Sequence, residues 1–248
     1  RFGWGLFPDA WTIVAPWLAW WAVVSTIYGS AIAIAQTDMK KMVAYSSIGH
    51  MGFILLACAA ATPLSILGTV FQMVSHGLIS ALLFLSVGIV YKKTGTRDLT
   101  ILSGLLNPER GLPIIGTLMI VGVMASAGMP GMVGFISEFI VFRGSFPIFP
   151  TQTLLAMIGT GLTAVYFLLL VNRAFFGRLT TQAGNTPDPD TKVLPMILWG
   201  ERLPGILLAL AIVVFGLQPN WVLRWSETTI STLSQPTTVV ANISDRVK

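Results

Sequence analysis

The sequence contains little charge and almost no cysteine. Charged residues make up 10% of the 248 residues, against roughly 25% in a typical soluble domain. This composition excludes an ordinary soluble enzyme. The single cysteine, Cys58, lies within an apolar run, which excludes a disulfide framework, a thiolate zinc site and the ligand set of an iron–sulfur cluster. Any electron transfer associated with this chain is therefore expected to occur elsewhere.

Apolar residues dominate the rest of the chain. The hydrophobic fraction is 54% and the mean hydropathy is +0.78, which indicates a multi-pass integral membrane protein. We predict an all-α, polytopic transmembrane helix bundle that forms a single domain over residues 1–248. Its six predicted crossings cover approximately residues 11–35, 41–61, 65–91, 113–146, 154–176 and 203–217.

The connecting segments divide the predicted domain into four parts. Residues 1–176 hold five crossings, 177–202 form a polar loop, 203–217 form the last crossing, and 218–248 form an interfacial helix and a tail. Within the first part, LTILSGLL at 99–106 is expected to form a short interfacial helix.

Basic residues are concentrated in the short loops, so the net charge of +5 indicates membrane orientation and not nucleic-acid binding. Six crossings divide the 15 Lys and Arg residues ten to five, and seven crossings would give the same division, so charge indicates orientation and not the number of crossings. The richer side is expected to face the cytoplasm, or the stroma in a thylakoid. The richer side contains Lys40, Lys41, Lys92, Lys93, Arg97, Arg110, Arg173, Arg178, Lys192 and Arg202.

The fourth apolar run is interrupted. Gly128, Pro130 and Gly131 break the helix in its middle, which leaves backbone polar groups free at membrane depth. Such breaks persist beside a cavity or against packed protein. Glu138 follows the break, and a carboxylate at this depth costs about 2.5–3.5 kcal/mol on insertion scales. We interpret Glu138 as a proton site.

Two histidines occupy comparable depths in other crossings. His50 lies near the centre of the second crossing and His76 near the centre of the third. If these helices are neighbours, Glu138, His76 and His50 form a proton relay in the plane of the membrane. Supporting polar residues recur at helical spacing on the same faces: Ser46, Thr69, Gln72 and Ser80.

Simpler interpretations remain open. The histidines and hydroxyls could serve only as hydrogen bonds between packed helices, and Glu138 could be paired for structure alone. Metal ligation is disfavoured, because two histidines 26 residues apart and one carboxylate match no usual ligand spacing.

Three stretches together resemble a known family: TDMKKMVAYSSIGHMGF (37–53), FQMVSHGLISALLF (71–84) and GMPGMVGFISEF (128–139). They are similar to the antiporter-like, proton-pumping membrane subunits of complex I, called NuoM in bacteria and NdhD in cyanobacteria and chloroplasts. GLQPNWVLRW (216–225) resembles the cyanobacterial NdhD group in particular. Related NuoL-type and Mrp-type chains usually place lysine where this chain has Glu138.

The resemblance implies two inverted five-helix repeats, each with one broken helix that lines a half-channel. This chain would hold the second repeat and the last helix, without the first half. The two histidines would match those that lead to the distal acid, Glu138. The implied role is proton translocation in a complex I-type NAD(P)H- or ferredoxin-quinone oxidoreductase of a thylakoid or bacterial inner membrane.

The same resemblance implies that this chain binds no cofactor and packs against other membrane subunits and the lipid bilayer. The nicotinamide or ferredoxin, iron–sulfur clusters and quinone would belong to those partners. Two alternatives are an Mrp-type sodium/proton antiporter subunit and a membrane scaffold that transports nothing.

Overall fold

The computed structural model describes residues 3–108, 111–181 and 197–226. Within them, the helices and strands are α1 (Gly3–Leu6), α2 (Pro8–Ile34), α3 (Met39–Ala60), α4 (Pro63–Thr94), β1 (Leu102–Ser103), α5 (Pro113–Ser126), α6 (Val133–Ser145), α7 (Pro150–Phe175), β2 (Thr180–Thr181) and α8 (Trp199–Leu217). The all-α bundle is confirmed, and the strands of the described residues form a single antiparallel pair of two residues each.

Five of the described helices are long and apolar enough to cross a membrane: α2, α3, α4, α7 and α8. The remaining crossing is the broken one, in which α5 has 14 residues and α6 has 13. At 1.5 Å per residue each covers about 20 Å, less than the roughly 30 Å of hydrocarbon. The two pieces therefore cross only in combination, as predicted for 113–146.

α4 is the central helix of the bundle and packs against α3, α5, α6 and α8. Its ends are well defined by sequence. Thr62 and Ser65 form a reciprocal capping box at the start, and Gly95 closes the helix with a φ of +76°. Lys92 and Lys93 lie in the last turn, where positive charge favours the helix dipole.

The α2–α3 pair is tightly packed along one seam. A Cβ added at Gly29 would lie 2.8 Å from the Gly49 backbone nitrogen, so only glycine permits this approach. Thr26 lies in the same seam, and its hydroxyl donates to the Gly49 carbonyl at 3.3 Å. Asp38 caps α3 by accepting from the Lys41 backbone N–H at 3.0 Å.

The prediction of a short helix at 99–106 is wrong. This segment forms turns and β1, which pairs antiparallel with β2. The backbone N–H groups of Gly104, Leu105 and Leu106 donate to the last carbonyls of α7 and to Phe176. Those hydrogen bonds replace the ones a local helix would have made, and Gly104 has a φ of +68°.

The last crossing starts earlier than predicted. α8 begins at Trp199 and not at Leu203, because Glu201 accepts a hydrogen bond from the Leu198 backbone N–H at 3.1 Å and caps a turn ahead of Pro204. In the tail, residues 220–226 are helical. The rest of the predicted tail, and most of the polar loop 177–202, lie outside the described residues.

Candidate functional site at the helix break

The break between α5 and α6 is produced by the residues predicted to cause it. Gly128 and Gly131 have φ values of +73° and +90°, and Pro130 between them has no N–H. The chain then re-enters a helix beside the one it left. A Cβ added at Gly134, in the first turn of α6, would overlap the Ala125 carbonyl oxygen at the end of α5.

Glu138 lies in α6 just beyond this break and is 4% exposed. Its Oε2 accepts a hydrogen bond of 3.0 Å from the Thr160 hydroxyl of α7. Its Oε1 is buried and has no hydrogen-bond partner among the described residues. The same Oε1 lies 3.8 Å from His50 Nε2, so the acid and the imidazole are neighbours.

His50 is held in one orientation by its own helix. Its Nδ1 lies 2.9 Å from the Ser46 carbonyl oxygen, which only accepts, so Nδ1 carries a hydrogen. In the neutral ring Nε2 is then the basic nitrogen. Nε2 lies 3.3 Å from the Ser126 hydroxyl and 3.4 Å from the Ser126 carbonyl oxygen at the end of α5.

His76 of α4 stacks on His50. The two ring centroids are 5.2 Å apart and the ring planes are inclined by 25°. The Ser80 hydroxyl lies 3.1 Å from His76 Nε2. Since ring nitrogens lie in the ring plane, the two imidazoles face each other through their π surfaces and not through their nitrogens.

The other predicted polar residues contribute less directly. The hydroxyls of Ser46 and Thr69 donate to carbonyls of their own helices, at 2.7 Å and 2.9 Å. Gln72, one turn from His76, is 1% exposed, and its Oε1 has no hydrogen-bond partner among the described residues. Ser75 Oγ is also buried without a hydrogen-bond partner among the described residues. Gln72 and Ser75 thus leave polar atoms without hydrogen bonds on the buried surface of α4.

Thr160 and Ser126 make polar contacts with the site and were not predicted. Sequence signals for both existed. Ser126 lies two residues before Gly128, where a helix end exposes its polar groups. Thr160, Thr163 and Tyr166 recur at a spacing of three in α7, and Tyr166 is fully buried with its hydroxyl donating to Thr163 at 3.2 Å.

Full charges lie at the ends of the helices, away from this site. Lys92 and Lys93 both pair with Glu201, at 2.7 Å and 3.1 Å. In the neighbouring loop, hydrogen bonds from the Thr100 backbone N–H and hydroxyl lower the pKa of Asp98 below its usual value. The described residues contain no cluster of three or more metal-ligating side chains.

The chain is similar to known membrane proteins. The family described as NADH:quinone oxidoreductase/Mrp antiporter, TM, matches residues 5–163. NADH-quinone oxidoreductase subunit M of Escherichia coli is 35% identical over 95% of this chain and 44% of its own length. NAD(P)H-quinone oxidoreductase chain 4 1 of Synechococcus elongatus is 43% identical over 74% of this chain and 35% of its own length.

Among solved structures, a chain in respiratory complex I from Thermus thermophilus with bound NADH superimposes with a TM-score of 0.84. Its identity to this chain is 25%, and the match covers 95% of this chain and 47% of that one. The chain thus spans less than half the length of each of these relatives.

Proposed function

Because the chain belongs to the NADH:quinone oxidoreductase/Mrp antiporter transmembrane family, with NuoM and NdhD relatives, we propose that it carries protons within a complex I-type NAD(P)H- or ferredoxin-quinone oxidoreductase. The observation that carries this proposal is the placement of Glu138. It is a buried carboxylic acid at a helix break, 3.8 Å from an imidazole, and no Lys or Arg of the described residues pairs with it.

An unpaired acid at this depth can change its protonation state at modest cost. A permanent ion pair with Arg or Lys would hold the carboxylate charged, since breaking a buried pair costs about 3–5 kcal/mol. Among the described residues, the groups in contact with the Glu138 carboxyl are a neutral hydroxyl and a histidine, and neither is a permanent cation. Its environment therefore suits an acid that is alternately loaded with a proton and emptied.

The exchange step involves defined atoms. A proton on Glu138 Oε1 moves to His50 Nε2, which leaves a carboxylate and an imidazolium whose Nδ1–H still donates to the Ser46 carbonyl. A hydrogen bond needs a separation of about 2.6–3.2 Å, so the pair must approach by roughly 0.6–1.2 Å or exchange through a water.

His76 acts on His50 through charge. Two imidazolium rings stacked at 5.2 Å repel each other, so the pair favours a single proton. A proton that leaves His50 for His76 cannot pass through the ring faces, and a hydroxyl or a water must connect the nitrogens. Ser80, 3.1 Å from His76 Nε2, is in a position to contribute that connection.

Water access is supported by the unsatisfied atoms of α4. Gln72 Oε1 and Ser75 Oγ are buried without partners among the described residues. A buried polar group without a hydrogen bond costs about 1–3 kcal/mol, a cost that a bound water removes. These atoms lie within one turn of His76 and suit a hydrated half-channel that reaches the relay.

Electron transfer is assigned to partner subunits, which we propose hold the iron–sulfur clusters and the sites for quinone and for NAD(P)H or ferredoxin. Cys58 is the only cysteine of this chain. The redox reaction would then drive this subunit through its contacts with those partners. Other membrane subunits of the assembly and the lipid bilayer are the expected partners.

An experiment with sodium separates this function from the Mrp-type alternative that the family description also names. The intact assembly is reconstituted in vesicles, and acidification is followed while electron donor is supplied at fixed concentration and sodium is varied. Proton translocation that is independent of sodium supports the proposal. A requirement for sodium, with sodium moving against protons, would favour the antiporter, and electron transfer without either flux would favour a scaffold.

A further inference from the structure

α7 makes a contact with the acid that the relay of two histidines and one glutamate does not include. The Thr160 hydroxyl donates a 3.0 Å hydrogen bond to Glu138 Oε2. We propose that Thr160 is a positioning residue that holds Oε2 and thereby leaves Oε1 as the oxygen that exchanges a proton with His50. This inference rests on the proposed role of Glu138 as a proton carrier.

The two oxygens of Glu138 differ only through their neighbours. Oε2 has the Thr160 donor, whereas Oε1 is buried without a hydrogen-bond partner among the described residues and lies 3.8 Å from His50 Nε2. A carboxyl group free to rotate about its terminal bond would present either oxygen to His50. The hydrogen bond from α7 removes that rotation and aims one oxygen at the imidazole.

Gly128 provides the space in which this hydrogen bond forms. Its φ of +73° already disfavours any side chain. A Cβ added there would lie 3.3 Å from Glu138 Oε2 and 3.6 Å from Thr160 Cγ2. A side chain at this position would thus crowd Oε2, while its distance to the Thr160 methyl group is an ordinary van der Waals contact.

The position of the Thr160 backbone in the bundle depends on the packing of Gly159, the residue before it. A Cβ added at Gly159 would overlap Thr26 Cγ2 of α2 and lie 3.6 Å from the Phe53 ring of α3. The α7 backbone therefore lies directly against both helices at this point. This packing fixes the α7 backbone from which the partly buried Thr160 side chain reaches Glu138.

The hydrogen bond can persist through the whole exchange. When Glu138 is protonated, the proton sits on Oε1 and Oε2 is a carbonyl oxygen that accepts from Thr160. When the proton has moved to His50 Nε2, Oε2 is a carboxylate oxygen that accepts from the same hydroxyl. Thr160 neither gains nor loses a proton in either step, and its contribution is orientation.

The test compares variants of the intact assembly in vesicles, with proton translocation measured at a matched rate of electron transfer. Thr160→Val removes the donor and keeps the shape, and Thr160→Ser keeps the donor. Thr153→Val is the control, because Thr153 is another threonine of α7 but its hydroxyl donates to the Phe149 carbonyl and not to Glu138. Thr160→Ala provides a second donor-free variant if the valine variant does not assemble.

We expect translocation in Thr160→Val to fall about tenfold or more, the loss that corresponds to one hydrogen bond to a charged group. Thr160→Ser and Thr153→Val should stay near the unmodified rate. In a Glu138→Gln background, Thr160→Val should cause no further loss, because Thr160 acts only through that carboxyl.

Two results would overturn the inference: a donor-free variant that translocates at the unmodified rate, or a serine variant that fails as badly as valine. Failure of the proposed function looks different. In that case Glu138→Gln itself leaves translocation unchanged. If Glu138→Gln stops translocation and Thr160→Val does not, the role of Glu138 stands and the positioning role of Thr160 is rejected.

Discussion

His50 Nε2 of α3 and Glu138 Oε1 of α6 lie 3.8 Å apart, although the two residues are 88 positions apart in the sequence. Both residues are buried, with at most 4% of either residue exposed. The distance is just beyond hydrogen-bonding range, so a small side-chain movement makes or breaks the contact. The acid and the base are thus close enough to exchange a proton after a small movement, but they do not form a permanent structural ion pair.

Replacement of the base should slow proton movement strongly. His50→Leu removes both ring nitrogens, and a positioned acid or base contributes typically about 10²–10⁴-fold to a proton transfer. We expect initial acidification rates in vesicles to fall within that range while electron transfer continues. Ser126→Ala, which removes only a hydroxyl 3.3 Å from Nε2, should have a much smaller effect. An unchanged rate in His50→Leu would remove His50 from the path.

His76 can be tested without disturbing the packing. His76→Phe preserves an aromatic ring against His50 and removes both nitrogens, whereas His76→Leu removes the ring as well. If the nitrogens matter, both variants should slow proton-coupled turnover to a similar degree. A phenylalanine variant that turns over normally beside a slow leucine variant would assign His76 a packing role only.

Much of this arrangement could be predicted from the sequence. Hydropathy located the crossings, because each helix must satisfy its own backbone in lipid. Gly128 and Pro130 located the break, because these residues interrupt the backbone hydrogen bonds that a helix in lipid requires. The depths of His50, His76 and Glu138 could be counted along their helices, but their contact depends on which helices are neighbours, and only the structure supplies that information.

The errors have equally specific causes. The segment 99–106 has apolar residues at spacings that suit a helix, yet its backbone bonds to the end of α7, a non-local partner invisible in the local pattern. Thr160 was not predicted as a site residue, because threonine is common at the interfaces between packed membrane helices. Its importance comes from the 3.0 Å contact with Glu138, which joins residues 22 positions apart.

The close approach of α6 to α5 predicts a destabilising substitution. In Gly134→Ala the new methyl group would overlap the Ala125 carbonyl oxygen, and overpacking of this kind typically costs about 1–3 kcal/mol. Gly77→Ala in α4 is the control, because a Cβ there meets nothing within 4 Å. Thermal unfolding of the purified assembly should show a loss for Gly134→Ala and no loss for Gly77→Ala. Equal behaviour of the two would contradict the described contact.

The loop on the lysine-rich side predicts a pH dependence. The pKa of Asp98 is lowered in the folded chain by the Thr100 hydrogen bonds, so its contribution to stability is present above the unfolded value of 3.8 and lost as pH falls through the folded value. The difference in unfolding temperature between the unmodified protein and Asp98→Asn should be constant near neutral pH. It should shrink only below the unfolded pKa of 3.8. A difference that disappears already near pH 6 would contradict the assignment.

The most direct test of the account is the number of protons moved per electron by an assembly that carries Glu138→Gln. Glu201→Gln is the control, since Glu201 lies in the first turn of α8 and pairs with Lys92 and Lys93, whereas α8 contacts the helix break through its last turn, at Gly216. The account predicts fewer protons per electron in Glu138→Gln, with electron transfer continuing, and an unchanged ratio in Glu201→Gln. A Glu138→Gln assembly that moves as many protons per electron as the unmodified one would contradict it.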